Sequence, residues 1–220
     1  GVDVRVVTES DYFNNPDYTN AYHQLQSVGI PVIPDVGTAL MHNKFIVIDD
    51  IEVLGGSYNF TTDQTTKDKN NVIIVHSAAV ASRYKSEFLQ MYAGVFKGSK
   101  VDYSGTDTVA GSTIETYFAP KANIRLAVTN AIKTANTSIY FNIFTFTEPA
   151  VSGAMIRRKQ AGVNVQGTFD AWQAGSSYAQ DDHLASNACA IRRDTYTGLL
   201  HDKYMAIDGG TASDPIVVTG

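Results

Sequence analysis

In residues 41–60, MHNKFIVIDDIEVLGGSYNF, two short apolar runs at 45–48 and 53–54 flank the polar pair Asp49-Asp50, and this pattern predicts two short strands joined by a turn at Asp49. Side chains two positions apart on a strand share a face, so His42 and Lys44 are expected to point the same way. A base and a cation would then lie in one pocket. A single His-x-Lys pair on a hairpin is, however, more typical of two ordinary surface side chains.

Two glycines follow the second predicted strand and allow the backbone to bend, which would bring Ser57 and Asn59 back toward the histidine. An imidazole, an ammonium, a hydroxyl and an amide that converge on one point form a site for an oxyanion. A phosphoryl group is the oxyanion that this set of side chains favours.

A second copy of the motif favours the oxyanion site over the interpretation of His42 and Lys44 as ordinary surface side chains. Residues 199–208, LLHDKYMAID, repeat residues 40–49, LMHNKFIVID, so His201, Lys203 and Asp208 each stand 159 positions after their counterparts. Two histidines in matched settings predict one symmetric site with both copies in the same pocket.

The rest of the chain has the periodicities of an α/β fold. Apolar runs with glycine or proline boundaries predict strands at 30–33, 71–76 and 138–146, and helices at 17–28, 77–92, from about 123, from 147 to 161, and at 177–187. Strands and helices that alternate in this way indicate parallel pairing of the strands.

The segment 97–113, KGSKVDYSGTDTVAGST, is rich in Gly, Ser and Thr and has little periodicity. It is predicted to be a linker between a first repeat at 1–96 and a second repeat at 114–220.

These residues resemble the phospholipase D superfamily, whose signature is His-x-Lys-x4-Asp followed by x6-Gly-Ser-x-Asn. The first copy matches the whole signature, and the second matches it through Asp208. The resemblance covers nearly the whole chain. It implies an α/β fold of two pseudo-symmetric repeats, each a mixed, mostly parallel sheet flanked by helices, with the active site at the interface of the repeats.

The resemblance also implies a mechanism. His42 would attack the phosphorus atom and form a phosphohistidine, while His201 would give a proton to the leaving oxygen. Lys44 and Lys203 would neutralise the charge on the non-bridging oxygens. The remaining members of the implied site are two cradle residues and two motif aspartates that are expected to anchor the turns after each motif strand: Ser57, Asn59, Asp49 and Asp208.

One position departs from the family pattern. An acidic residue that orients the motif histidine commonly stands in a Glu-Asn pair after Gly-Ser-x-Asn, and here the pair is Asn70-Asn71. An amide stabilises an imidazolium less than a carboxylate does, so Asn70 is expected to leave His42 a weaker base. Trp172 follows a predicted strand at the end where α/β sites form, and is a further candidate for substrate binding.

Composition and charge exclude only a few classes of binding partner and cofactor. The net charge of −5 and the pI near 5.4 argue against a strongly basic nucleic-acid scaffold. The single cysteine, Cys189, excludes an internal disulfide. The sequence has no run of about 20 apolar residues and no metal-ligand spacing, so we expect no transmembrane segment, no metal and no cofactor.

Three hypotheses about function follow. The first is a phosphodiesterase acting on phospholipid, with peripheral membrane contact and a secreted or periplasmic location, and the many tyrosines and few clustered cations favour it. The second is the same chemistry on nucleic acid, and the third is a binding or structural module without turnover. The oligomeric state is left open.

The chain is also expected to be a fragment of a longer two-repeat protein. Its first copy begins at a strand that, in the second copy, follows another strand and a helix. Its second copy stops at Gly220, the position where a second Gly-Ser-x-Asn would begin.

Overall fold

The computed structural model describes residues 1–210 and 214–220 as an α/β protein. The strands are β1 (Val6–Thr8), β2 (Val32–Pro34), β3 (Phe45–Ile48), β4 (Glu52–Gly56), β5 (Val72–His76), β6 (Gly105–Val109), β7 (Ser112–Thr116), β8 (Ser138–Ile143), β9 (Asn164–Phe169), β10 (Ala190–Arg193), β11 (Lys203–Ile207) and β12 (Ile216–Thr219). The helices are α1 (Ser10–Asn14), α2 (Thr19–Ser27), α3 (Thr62–Thr66), α4 (Ala78–Tyr92), α5 (Ile124–Thr134), α6 (Pro149–Gln160), α7 (Ala171–Ala174) and α8 (Asp181–Ser186).

The chain divides into two compact units that do not follow the order of the sequence. The first unit comprises Gly1–Val53 and Val75–Asn123. The second unit comprises Leu54–Ile74 and Ile124–Gly220. The segment Leu54–Ile74, which follows the first motif in the sequence, therefore packs with the part of the chain that carries the second motif.

A five-stranded mixed sheet in the order β10-β9-β8-β11-β12 is the centre of the second unit. Strands β8, β9 and β10 run parallel to one another, as the alternation of strands and helices predicts, and β11 runs antiparallel to both β8 and β12. The motif strand β11 thus lies between two neighbours, where Met205 is opposite Phe141.

The core of the second unit lies where α5 and α6 cover this sheet. Its fully buried members include Ile132, Ile139, Met155 and Phe169. Burial of each such side chain contributes about 1.5–3 kcal/mol, so the core fixes β8 and β11 firmly. Gly167 of β9 is required by this packing, because a Cβ there would come within 2.2 Å of the Phe141 ring.

The other sheets are smaller. Strands β1 and β2 pair in parallel, β3, β4 and β5 form a three-stranded sheet in that order, and β6 and β7 form an antiparallel hairpin. Helix α4 begins where Ser77 accepts a hydrogen bond from the N–H of Val80, as its sequence predicts. The buried residues Val80 and Ala81 of α4 pack with Val53.

Residues 97–113 contain regular structure that their composition does not predict. Most of them lie in a short 3-10 turn, Lys97–Ser99, and in the β6-β7 hairpin, which Arg83 holds by an ion pair of 2.5 Å with Asp107. That this segment links two repeats stays a prediction. Another detail of the predicted organisation is wrong. His42 and Lys44 lie just before β3 rather than within it. The predicted limits of the two repeats, 1–96 and 114–220, stay predictions.

The other predicted helices and strands lie within a few residues of their expected positions. Pro149 begins α6 after Glu148, and α6 ends two residues before Gly162. The longest helix in the described residues has 15 residues, and none of the helices there has the length and apolar character that a bilayer crossing needs.

Candidate active site

The second motif places a base and a cation against each other. His201 lies two residues before Lys203, which is the first residue of β11. The Lys203 Nζ lies 3.1 Å from His201 Nε2 and donates a hydrogen bond of 2.9 Å to the His201 carbonyl oxygen. His201 is 5% exposed, so its ring is held in a largely dehydrated environment. An incoming phosphoryl oxygen at this point would meet the lysine ammonium while the phosphorus meets the imidazole.

The other ring nitrogen of His201 is held by Asn70, which corrects the sequence interpretation. His201 Nδ1 lies 3.0 Å from Asn70 Oδ1. The amide was expected to orient His42, the histidine of its own repeat, but it orients His201 because Leu54–Ile74 packs in the second unit. The backbone contacts agree, since the N–H of Lys69 donates to the Leu199 carbonyl oxygen at 2.9 Å.

Ser57 supports the amide of Asn70. The Ser57 hydroxyl donates to Asn70 Oδ1 at 3.0 Å and accepts from the Asn71 N–H at 3.0 Å, and the residue is fully buried. Gly56 permits this arrangement, since it has φ of +141° and a Cβ there would lie 2.3 Å from the Asn71 carbonyl oxygen. Asn59 lies farther along the same loop and is partly exposed. The serine thus acts on the site through Asn70.

The backbone just before His201 is fixed by two carboxylates that the sequence analysis did not assign. The N–H of Leu199 donates to Asp68 at 2.8 Å, and the N–H of Leu200 donates to Asp170 at 2.9 Å. The other oxygen of Asp170 accepts from the N–H of Trp172 at 3.1 Å, which begins α7. The position of Asp170, directly before a short helix, is a sequence signal that could have identified it as a cap.

Two aromatic rings lie near the motif histidine. The Phe144 ring centroid lies 4.8 Å from that of His201, and the Trp172 centroid lies 6.1 Å from that of Phe144. Trp172 is 71% exposed. The structure therefore places the predicted substrate-binding tryptophan one ring away from the motif histidine, with its indole open to solvent.

Asp208, the last residue of the second motif, binds the backbone at the start of β8. It is buried, and its carboxylate accepts hydrogen bonds from the N–H groups of Asn136, Thr137 and Ser138 at 2.7 to 2.9 Å. Burial alone would raise the pKa of Asp208, but these donors hold the pKa well below its usual range. The carboxylate ties the end of β11 to the start of β8.

The first motif lies in the first unit and has the same local contact. Lys44 Nζ donates to the His42 carbonyl oxygen at 2.9 Å, and burial lowers the pKa of Lys44 to about 8. His42 is exposed, and Asp49 lies in a turn with φ of +50°. That the two motif histidines share one pocket stays a prediction.

A family model described as "Cardiolipin synthase, PLD-like domain" matches residues 1–92 and again residues 128–220. The two matched regions contain the two motifs and leave out the β6-β7 hairpin.

Curated relatives match over part of their length. The mitochondrial cardiolipin hydrolase of Xenopus laevis is 34% identical over 91 residues, which is 41% of this chain and 42% of that protein. A phospholipase D of Rickettsia conorii is 34% identical over 93 residues, 42% of this chain and 46% of that protein. The matched region thus spans less than half the length of these relatives.

Among solved structures, polyphosphate kinase from Porphyromonas gingivalis covers nearly the whole chain. The match has a TM-score of 0.65 with 12% identity and covers 98% of this chain and 32% of the kinase. At this identity the likeness concerns the fold alone.

Proposed function

Because the chain belongs to the phospholipase D superfamily, we propose that it is a phosphodiesterase and that its substrate is a phospholipid. The observation that carries the proposal is the contact of 3.1 Å between His201 Nε2 and Lys203 Nζ, which puts a nucleophilic base and a phosphate-binding cation at one point. The doubled motif supports a reaction in which His42 and Lys44 act on the same phosphodiester.

The reaction needs two proton states of histidine. One neutral imidazole forms a bond to phosphorus, and the bond from phosphorus to the alcohol oxygen breaks. The other histidine, protonated, gives its proton to that oxygen. Water then attacks phosphorus, its proton returns to the second histidine, and the nitrogen–phosphorus bond breaks. Histidine, with an ordinary pKa near 6.5, can serve in either state at neutral pH.

A lipid substrate is supported by the relatives and by the surface near His201. The matched relatives are named as a cardiolipin hydrolase and as phospholipases D. Trp172, whose ring lies next to that of Phe144, is 71% exposed. Exposed tryptophan side chains are suited to the interface between lipid and water, so we propose that Trp172 makes peripheral contact with a membrane. The secreted or periplasmic location belongs to the same proposal.

The experiment compares substrate classes with the complete protein. Vesicles of phosphatidylcholine, phosphatidylglycerol or cardiolipin are each presented beside single-stranded DNA, and release of the head-group alcohol or of nucleotides is measured. We expect head-group release from at least one lipid at a kcat/KM above that for DNA. Trp172→Ala should lower activity on vesicles and leave activity on a soluble diester unchanged.

Two outcomes would contradict the proposal. Faster cleavage of single-stranded DNA than of any lipid would identify nucleic acid as the substrate. Binding of lipid vesicles without turnover of any diester would identify a binding module that retains the fold.

A further inference from the structure

A buried carboxylate stands directly after the same strand in both copies of the repeat. Glu9 follows β1 and Asp170 follows β9, and these residues are 8% and 2% exposed. Their sequences correspond, since residues 1–9 read GVDVRVVTE and residues 162–170 read GVNVQGTFD. A carboxylate is buried at an acceptable cost only when hydrogen-bond donors surround it, so the donors that each one binds indicate its role.

Each of these carboxylates binds the backbone just before the histidine of its own motif. Glu9 Oε2 accepts a hydrogen bond from the N–H of Met41. Asp170 Oδ2 accepts from the N–H of Leu200 at 2.9 Å. Glu9 and Met41 both lie in the first unit, and Asp170 and Leu200 both lie in the second. The same contact is therefore made once within each unit.

A second aspartate completes the same arrangement in each copy. The N–H of Asp35, after β2, donates to the last carbonyl oxygen of β1 at 2.8 Å, and the N–H of Asp194, after β10, donates to the last carbonyl oxygen of β9 at 2.9 Å. The Asp35 side chain accepts from the N–H of Ser10, and the Asp194 side chain accepts from the N–H of Ala171, both at 2.8 Å. The end of the strand, the start of the following helix and the loop before the histidine are thus joined in the same way twice.

The two carboxylates differ in what their other oxygen binds. Asp170 Oδ1 accepts from the N–H groups of Trp172 and Gln173 at 3.1 and 3.0 Å. Glu9 Oε1 lies 3.5 Å from the Ser10 hydroxyl, which can donate or accept. An amide at position 170 would therefore have to turn its NH₂ group toward an N–H. An amide at position 9 could turn its NH₂ group toward the hydroxyl and keep its oxygen on the backbone N–H.

The backbone N–H that each carboxylate holds belongs to the residue next to the motif histidine. The Cα atoms of neighbouring residues are separated by a fixed 3.8 Å, so a shift of Leu200 moves the Cα of His201 with it. Displacement of a reacting group by about 1 Å can lower a reaction rate about 10²-fold. A hydrogen bond that fixes this backbone thus acts on the rate without any contact with the substrate.

We propose that Glu9 and Asp170 are positioning residues, each of which fixes the backbone in front of its own motif histidine through a hydrogen bond from a main-chain N–H to a carboxylate. The inference rests on the proposed phosphodiesterase function and adds two residues to it. Loss of either hydrogen bond should lower kcat more than it raises KM, because the substrate contacts stay in place while the imidazole moves.

The first test is Asp170→Asn in the complete protein, with bis(p-nitrophenyl) phosphate as a soluble diester. The amide oxygen should stay on the two N–H groups of α7, which leaves the N–H of Leu200 without an acceptor. We expect kcat to fall at least about tenfold and KM to change less than about threefold.

Asp194→Asn is the matched control for this variant. It changes a carboxylate that binds the start of α7 but does not bind Leu200, so its effect on kcat should be much smaller. An unchanged kcat in Asp170→Asn, or an equal fall in the two variants, would overturn the proposal.

The second test uses the first copy and stays informative if Asp170→Asn folds poorly. Glu9→Leu removes the acceptor, whereas Glu9→Gln keeps an oxygen for the N–H of Met41. We expect kcat to fall at least about tenfold in the leucine variant and clearly less in the glutamine variant. Equal losses in the two variants would show that the hydrogen bond is not what matters.

Nuclear magnetic resonance tests the contact itself without relying on activity. The chain has four methionines, so ¹⁵N-methionine labelling gives few amide signals, and Met41→Leu identifies the signal of Met41. An amide proton that is bound to a carboxylate resonates downfield, and Glu9→Leu should move this signal upfield. A signal that stays in place would overturn the proposal for the first copy.

The outcomes separate this inference from the proposed function. Turnover by the unmutated protein, with kcat insensitive to Asp170→Asn and Glu9→Leu, would overturn the positioning role and leave the phosphodiesterase intact. Absence of turnover in the unmutated protein would overturn both.

Discussion

The two copies of the motif share their local geometry and differ in what surrounds it. In each copy the lysine Nζ donates to the carbonyl oxygen of the histidine two residues before it, at 2.9 Å. His201 is nevertheless buried and Asp208 is buried, whereas His42 and Asp49 are exposed. The spacing His-x-Lys thus sets the contact within the motif, and the neighbouring strands set the environment of each group.

Strand β8 explains much of this difference. In the second unit the motif strand β11 pairs with β8, and the residues just before β8 supply the N–H groups that bind Asp208. The first motif strand, β3, instead belongs to a sheet of the order β3-β4-β5. The same ten-residue pattern therefore produces a buried anchor only where a partner strand brings backbone donors to the aspartate.

Among the changes that test this comparison of the two copies, removal of the lysine charges is expected to have the largest effect, and that effect is on kcat. Lys203→Met removes a cation aimed at the developing charge on phosphate, so kcat should fall by about 10²–10³. Lys44→Met should cause a fall of the same order if both copies act on one phosphate. Lys133→Met, on the exposed face of α5, is the matched control. Normal turnover in either motif variant would show that its lysine does not contact the phosphate.

The second prediction concerns the pH dependence of the first copy. The pKa of Lys44 is about 8, so its side chain is charged below that pH and neutral above it. Vanadate affinity should therefore weaken by about 10- to 100-fold as the pH rises through 8, because a hydrogen bond to a charged donor contributes about 1.5–3 kcal/mol. Titration calorimetry across this range measures the change.

Lys44→Arg is the control for that pH dependence. Arginine stays charged through this range, so the variant should keep the Lys44-dependent part of the affinity above pH 8. Equal pH profiles for the two proteins would mean that Lys44 does not determine the loss.

The smallest expected effect is on the stability of the fold. Replacement of Asp208 should lower the free energy of unfolding more than replacement of Asp49. Asp208→Asn breaks hydrogen bonds to buried N–H groups and should lower the free energy of unfolding by about 1–3 kcal/mol. Asp49→Asn, at an exposed turn, should change it by less than about 0.5 kcal/mol. Urea unfolding of both variants checks the difference, and equal losses would contradict the structural contrast between the copies.

The stabilisation of the fold by the Asp208 carboxylate should decrease as the pH falls. The folded pKa of Asp208 is below its unfolded value, so the carboxylate stabilises the fold above about pH 4. This contribution is lost as the pH falls further. The gap between the unmutated protein and Asp208→Asn should therefore narrow in acid.

Much of the fold follows from local patterns, but the support of the site does not. The periodicity of 77–92 and the cap at Ser77 predicted α4 correctly, and the alternation of strands and helices predicted the parallel pairing of β8 and β9. The partner of Asn70 could not be predicted, because it is 131 residues away in the sequence and depends on how Leu54–Ile74 packs. The β6-β7 hairpin at 105–116 was missed because polar strands exposed on a surface lack the apolar alternation that identifies a strand.

The central claim, that both motifs act in one phosphodiester reaction, is tested most directly by the single and double variants His42→Asn and His201→Asn. If the histidines act together, each single variant loses at least about 10²–10⁴ in kcat on a lipid with a poor leaving group, and the double variant loses little more. His183→Asn, an exposed histidine on α8, should keep full activity. Retention of about half the turnover in each single variant, with loss only in the double variant, would show two independent sites and contradict the account.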